Sequence, residues 1–297
     1  MKRFFSFALL LIVAVADMQA QLLYKISGNG LQQPSYIIGT HHLAPASFAD
    51  SVPGVQQALA ETQQVYGELV LKEMMTPENV MKMTQAMMLP QDVTLTSLLT
   101  SDEQERLNIV MKELMGYDLN TPMINRFLPA ALSSQFTQSL YLKHHPDVNI
   151  QEQFDGYFQN KALEQGKGVF ALETMDIQIK ALFASQSLER QKEMLMCMVD
   201  HLDFQLQMLE ALTDAFMHQD LEAMAKAMEE KMGSSCDSTP EEEAQLIYNR
   251  NANWLQQMPA IMQSKPTFFA VGAAHLVGDK GVLQLLRNAG YTIEGVR

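Results

Sequence analysis

The chain has 297 residues, 47% of them hydrophobic and 19% charged, with 34 Asp and Glu against 21 Lys and Arg. That apolar fraction is ample for a buried core and excludes a disordered, collagen-like or disulfide-scaffold chain. A net charge of -13 argues against nucleic acid and anionic membrane surfaces as partners, because both are held mainly by Lys and Arg.

Lys2 and Arg3 precede an uncharged apolar run over residues 4–16. Its length suits a secretory leader and falls short of a membrane-spanning helix of about 20 residues. Ala14-Val15-Ala16 and Met18-Gln19-Ala20 both offer small-residue cleavage frames. Cleavage after Ala20 is preferred, which makes residues 1–20 a signal peptide and Gln21 the first mature residue. No later segment reaches about 18 uninterrupted apolar residues, so the expectation is an exported protein, periplasmic or secreted, with no stable membrane span after cleavage.

Two kinds of sequence follow along the mature chain. Residues 22–26 and 35–38 read as paired strands, with Ser27-Gly28-Asn29-Gly30 as the turn. A helix after Pro53 and Gly54 runs to residue 64, and residues 65–71 read as a strand. Helices are expected over 77–88, 101–115 and 122–142, each opening near a Ser, Thr or Pro of the N-terminal type. Gly166-Lys167-Gly168 ends the next helix, and residues 169–172 form a strand closed by Glu173. From 177 to about 232 the chain reads as helix, with Leu195, Met198, Leu202, Leu206, Leu209, Leu212 and Phe216 forming one apolar stripe. Helix continues over 241–262, followed by a strand at 267–271, a helix at 278–288 and a last strand at 291–296. No Pro/Gly/Ser-rich linker separates independent units. The fold class expected is α/β (α+β): one domain over 21–297, with a mixed central sheet built from both ends of the mature chain and large helical insertions at about 76–166 and 174–266.

Cys197 and Cys236 are the only cysteines, and an oxidising compartment permits them to bridge; the alternative is two unpaired thiols. The 22 methionines include Met81-Lys82-Met83 and Met194-Leu195-Met196-Cys197-Met198, which superficially resemble copper(I) thioether clusters. Residues two apart on a helix face away from each other, so these methionines read as flexible core filler.

Serine-hydrolase, zincin, P-loop and dinucleotide motifs are all missing. What remains is an echo between the two ends of the chain. Tyr36-Ile37-Ile38-Gly39-Thr40-His41-His42-Leu43 aligns with Phe269-Ala270-Val271-Gly272-Ala273-Ala274-His275-Leu276: apolar strand, Gly, two residues, His, Leu. The Gly allows a sharp turn or a close approach, and the His projects from the loop beyond the strand. Glu68 and Glu173 likewise interrupt or end apolar strands. If the four strands are parallel neighbours, His42, Glu68, Glu173 and His275 share the edge where open α/β sheets place ligands. Two imidazoles and two carboxylates suit a divalent transition metal with positions left for water, and one glutamate could stay unligated as a general base. Taken singly, each of the four reads as an ordinary capping or solvent-facing group. His41 is expected to face outward or to stand behind the ligands, and Arg250 and Asn251 to orient a carboxylate or bind substrate. The plain alternative for the last two is a solvated helix face.

At these residues the chain resembles the TraB/GumN family, which includes the Tiki proteins. The segments are Gly39-Thr40-His41-His42, Gly67-Glu68, the strand from Gly168 to Glu173, Arg250-Asn251, Gly272 to Leu276, Gly281-Val282-Leu283 and Gly290-Tyr291. They occur in the expected order over nearly the whole mature chain. The resemblance implies an α/β fold with helical insertions and, by analogy with Tiki, a metal-dependent peptidase using the Gly-x-x-His histidines and the glutamates. It also implies Mn or Co in preference to Zn, and a peptide or protein substrate or ligand. A non-catalytic module that binds and sequesters peptides, and a metal-independent His/Glu hydrolase, are the competing expectations.

Overall fold

In the computed structural model, residues 21–149 and 154–297 are described. The leader expected over residues 1–20 lies outside them.

Strand β1 (Leu23–Gly28) and strand β2 (Ser35–Thr40) pair antiparallel, with Leu23 opposite Ile38. Gly28, Asn29 and Gly30 between them take φ values of +79°, +47° and +81°, a left-handed run open only to residues that carry little steric penalty there. Three further strands lie parallel to β2: β3 (Gln64–Gly67), β4 (Gly168–Ala171) and β5 (Thr267–Gly272). With β6 (Tyr291–Gly295) antiparallel to β1, they form one mixed sheet of six strands in the order β4-β3-β5-β2-β1-β6. Its fully buried neighbours Ile37 and Ile38, and Phe268 and Phe269, point to opposite faces, so both faces of the central strands are covered. The helix Phe154–Glu164 packs on one of them, with the Phe158 and Phe268 rings stacked at 5.3 Å. The helix Asn249–Ser264 adds Trp254, Met258 and Met262 to the same core.

β2 and β5 run so close at their ends that a Cβ on Gly39 would stand 2.9 Å from Ala273 Cβ and 3.1 Å from Leu276 Cδ1. Close approach, not a special backbone angle, is therefore what demands glycine in the first Gly-x-x-His motif.

The inserted helices hold a second core. Leu107 and Met111 from Ser101–Met115, Leu132 and Phe136 from Pro129–His144, and Leu195 and Met198 from Leu188–Asp200 pack together in it. Met196 is buried there too, so the methionine run is packing.

The structure corrects several expected boundaries. The third helix begins at Pro129, not 122, because Arg126 donates to the carbonyls of Leu89, Gln91 and Val93 and ties residues 124–128 across the chain. The helix expected over 177–232 is broken into Met175–Ile179, the π-helical Lys180–Ala184, Leu188–Asp200, Leu202–Met217 and Leu221–Glu229. Ser187 and Asp220 cap new helix starts by accepting from Arg190 N and Ala223 N. The apolar stripe is divided at His201, between Leu188–Asp200 and Leu202–Met217: Leu195 and Met198 enter the helical core, and Phe216 the sheet core.

Cys197 and Cys236 are bridged, with Cα atoms 5.5 Å apart. Arg190 holds the same loop by donating to the carbonyls of Ser235 at 2.5 Å and Asp237 at 2.9 Å.

Two stability outcomes follow from this architecture. Gly39→Ala should lower unfolding free energy by about 1–3 kcal/mol through overpacking against Ala273. Urea melts of the variant check this, and an unchanged midpoint would contradict the close approach. Closing the loop between Cys197 and Cys236, 39 positions apart, contributes at most about 4 kcal/mol by chain entropy. The Cys197→Ser/Cys236→Ser protein should lose about 2–4 kcal/mol yet keep its fold, because the Arg190 clamp remains. Circular dichroism melts decide between loss of stability and loss of structure.

Candidate active site at the carboxyl ends of the parallel strands

Four neighbouring parallel strands end at one edge of the sheet, as the sequence argument required. Glu68 follows β3 directly, Glu173 stands two residues past β4, and Glu173 N donates to Glu68 O at 3.2 Å. His275 sits in the 3-10 turn Ala273–His275 after β5, and His41 and His42 follow β2. Gly272 N donates to Glu68 Oε1 at 2.8 Å, and a Cβ on Gly272 would come within 3.1 Å of that oxygen. The second motif glycine thus makes room for a carboxylate.

Arg250 organises the buried half of the site. Its Nε donates to both oxygens of Glu173, at 3.2 and 3.0 Å, while Nη2 donates to Glu173 Oε1 at 2.6 Å and Glu68 Oε2 at 2.5 Å. Nη1 donates to His275 Nε2 at 3.0 Å and to the Leu246 carbonyl at 2.9 Å. That carbonyl belongs to the π-helical turn Ala244–Tyr248, an insertion of a kind frequent at functional sites. Trp254 Nε1 donates to Glu173 Oε2 at 3.1 Å, and the Trp254 ring lies 4.4 Å from that of His275. Arg250, Asn251, Glu173 and His275 are all buried, which sets aside the solvated-face alternative for Arg250 and Asn251.

The tautomer of His275 follows from its neighbours. A guanidinium only donates, so Nε2 must carry the lone pair. Asn251 Nδ2 is engaged by the carbonyls of His275 and Lys280, which leaves Asn251 Oδ1 to accept from His275 Nδ1 at 2.6 Å. Burial, with the nearby charges of Arg250 and His42, pushes the His275 pKa down to about 4 against the pull of Glu68. For Glu68, burial opposes ionisation, but His275, Arg250, the Gly272 N–H and His42 outweigh it and hold the carboxyl below its usual range.

His42 is placed differently. Its side chain is 73% exposed, and its Nδ1 lies 3.0 Å from Oδ2 of Asp155, which is only 17% exposed. Thr40 Oγ1 donates to the other Asp155 oxygen. The Asp155 charge and hydrogen bond raise the His42 pKa to about 9. Of the two placements expected for His41, outward or behind the ligands, the outward one is not taken. Leu43 N donates to its Nδ1 at 3.0 Å, and its ring meets Phe216 edge-on at 5.3 Å, so the inserted helix Leu202–Met217 draws it inward. Burial, then the His42 charge, lowers the His41 pKa to about 4.

Three participants escaped the sequence argument. Asp155 looks like an ordinary acid in the first turn of a helix, Trp254 like core, and Gln178, which donates to Glu68 Oε2 at 3.1 Å, like a surface amide.

Among the described residues, no three His, Cys, Asp or Glu side chains stand together as a finished metal cage. The donor chemistry of three of them fits a divalent ion: His42 and His275 each have Nδ1 tied to a side-chain oxygen, which leaves Nε2 for a ligand, and Glu68 Oε1 lies 3.8 Å from His275 Nε2. Ligation by His275 requires Arg250 Nη1 to give up its bond to Nε2. Glu173 fits less well, because its side chain is 2% exposed against 16% for Glu68, with Arg250 and Trp254 donating to both of its oxygens.

The TraB/PrgY/gumN family model matches residues 22–295. The chain belongs to this family. It is 24% identical to Metalloprotease TIKI2 of Danio rerio over 303 aligned residues, which cover 88% of this chain and 58% of that protein. It is also 24% identical to Metalloprotease TIKI homolog of Nematostella vectensis, over 89% of this chain and 65% of the relative. This TraB/PrgY/gumN chain thus spans 58% and 65% of the length of those two relatives. A stretch of 53 residues is 40% identical to Metalloprotease TIKI1 of Danio rerio. No solved structure matches the chain.

The shifted histidines set a pH dependence for the metal-free protein. Below pH 6.5 the unfolded chain takes up protons that folded His275 refuses until about pH 4, so stability falls with pH by up to about 3 kcal/mol from this residue. Glu68 and Asp155, both held below their usual range, add to the loss further down. The contribution of His42 is complete below about pH 6.5 and is lost as pH rises through about 9. Thermal melts in chelator should therefore peak between these limits, and a midpoint that rises from pH 6.5 to 4 would contradict the buried neutral His275.

Proposed function

We propose that this protein is an exported metal-dependent peptidase whose ion is held by His42, Glu68 and His275. The observation that carries the reading is the matched presentation of the two echoed histidines, each with Nδ1 engaged by a helix-borne side chain at the edge where the parallel strands end. The names of the relatives, given at 24% identity, support the reaction class. A bound divalent ion, Mn or Co in preference to Zn, would lower the pKa of a water and polarise a peptide carbonyl.

The chain's own groups do the rest. Arg250 keeps two neighbouring carboxylates compatible and fixes the Glu68 oxygens. Glu173 serves as counter-ion to Arg250, not as ligand or base. Trp254 and Asn251 hold the His275 ring from behind. Exposed Met75, Ile177, Leu182 and Leu246 lie on the segments that follow Glu68 and Glu173 or precede Arg250, a surround suited to apolar peptide side chains. Export is supported by the leader-like residues 1–20 and by the Cys197–Cys236 bridge. Among the described residues no helix is long and apolar enough to cross a membrane.

One observation favours a second reading. Arg250 already occupies the His275 lone pair, and His42 and His275 are pushed to opposite protonation states, about 9 and about 4. With Glu68 ionised, a protonated His42 suits metal-independent acid–base hydrolysis, His42 giving a proton and Glu68 receiving one.

Protein purified after Mn, Co, Zn and Fe supplementation should carry about one equivalent of metal and cleave members of a peptide library read by mass spectrometry. Chelator, His42→Ala and His275→Ala should each reduce cleavage at least about 100-fold. Cleavage that persists in strong chelator would transfer the assignment to the acid–base reading. Saturable peptide binding without products in any metal would make the protein a sequestering module.

A further inference from the structure

We infer that Asp155 is the positioning residue for His42, the counterpart of Asn251 behind His275; this rests on the reading of both histidines as metal ligands through Nε2.

His42 stands on a loop with most of its side chain in solvent, where an imidazole turns freely and favours the form protonated at Nε2. Asp155 removes both freedoms. A carboxylate only accepts, so its Oδ2 selects the His42 tautomer with hydrogen on Nδ1 and leaves the lone pair on Nε2. The carboxylate is itself held, since its Oδ1 accepts from Thr40 Oγ1, and Thr40 is the buried last residue of β2. The helix bearing it is pinned to the same loop, where Phe154 N donates to Ala44 O at 3.2 Å. Strand end, carboxylate and imidazole thus close a ring that sets the direction of Nε2.

The same design recurs at the other motif with different chemistry. Asn251 is locked by the carbonyls of His275 and Lys280 and offers Oδ1 to His275 Nδ1. Both supports come from helices of the inserted segments, and neither belongs to a Gly-x-x-His motif. A helix-terminal acid that merely favours its own helix would be indifferent to the His42 tautomer. This difference separates a positioning role from a structural one.

The test is long-range proton–nitrogen correlation of the histidine rings in the metal-free mature protein, labelled with nitrogen-15, at pH 10, above the pKa of His42. Wild type should show His42 protonated at Nδ1, and Asp155→Ala should convert it largely to the Nε2 form with the His275 signals unchanged. A wild-type His42 already in the Nε2 form overturns the inference without any variant, so a failure of Asp155→Ala to fold does not protect it. An unchanged tautomer in folded Asp155→Ala overturns it equally. In a second arm, cobalt(II) affinity by calorimetry should fall about 10–100-fold in Asp155→Ala and recover for the most part in Asp155→Asn, which keeps an acceptor oxygen. Equal cobalt affinity in wild type and Asp155→Ala counts against the inference. The ring spectra need neither metal nor peptide, so a wild type that binds no metal refutes the metallopeptidase reading while the tautomer still decides the role of Asp155.

Discussion

Glu68 and Glu173 stand at adjacent strand ends, and without a cation between them the fold would hold two carboxylates close together and away from water. Arg250 supplies the charge with a fork whose three nitrogens reach both acids, His275 and a backbone carbonyl. A buried ion pair of this kind adds little net stability, because desolvation consumes most of the attraction. Its effect is geometric: once Arg250 is placed, the Glu68 oxygens, the Glu173 oxygens and the His275 lone pair have one arrangement that satisfies all of them. Taking one member away would strand the others in a low-dielectric setting, which is why the cluster behaves as a unit.

The arrangement depends on segments far apart in the chain. Gly272 and Glu68, 204 positions apart, meet because β5 inserts between β2 and β3 and brings the second glycine against the first carboxylate. The long insertions are therefore more than additions to a sheet. They return Asp155 on one helix and Arg250, Asn251 and Trp254 on another, and they pack a core of their own from Leu107, Phe136 and Leu195.

The sheet and its functional edge were legible because their signals are local: an apolar run, a glycine, a polar residue at the strand end. The echo between Gly39-Thr40-His41-His42 and Gly272-Ala273-Ala274-His275 marked two strands that prove to be parallel neighbours. The echo did not reveal which histidine turns inward, since Phe216, from a distant helix, settles that for His41. The helix break at His201 was masked because the apolar spacing of three and four continued across it, from Leu195 through Leu202 to Phe216. Asp155 was illegible for a different reason. An acid in the first turn of a helix already has a sufficient local explanation, and nothing nearby in sequence points to an imidazole 113 positions away.

The two histidines, alike in motif, are unequal in setting, and this inequality bears on how the proposed site would work. His275 is wedged among Trp254, Asn251 and Arg250 inside the core, so its geometry is set when the protein folds. His42 stands in solvent and is steered by one carboxylate. A ligand entering between them meets a fixed wall made of Glu68, Arg250 and His275 and an adjustable one made of His42. Moving the His42 ring breaks one charge-assisted hydrogen bond, to Asp155, whereas shifting any member of the buried cluster breaks several at once. Adjustment around a bound group therefore falls to the His42 loop, with Asp155 limiting its range, while Arg250 keeps the opposite wall in register.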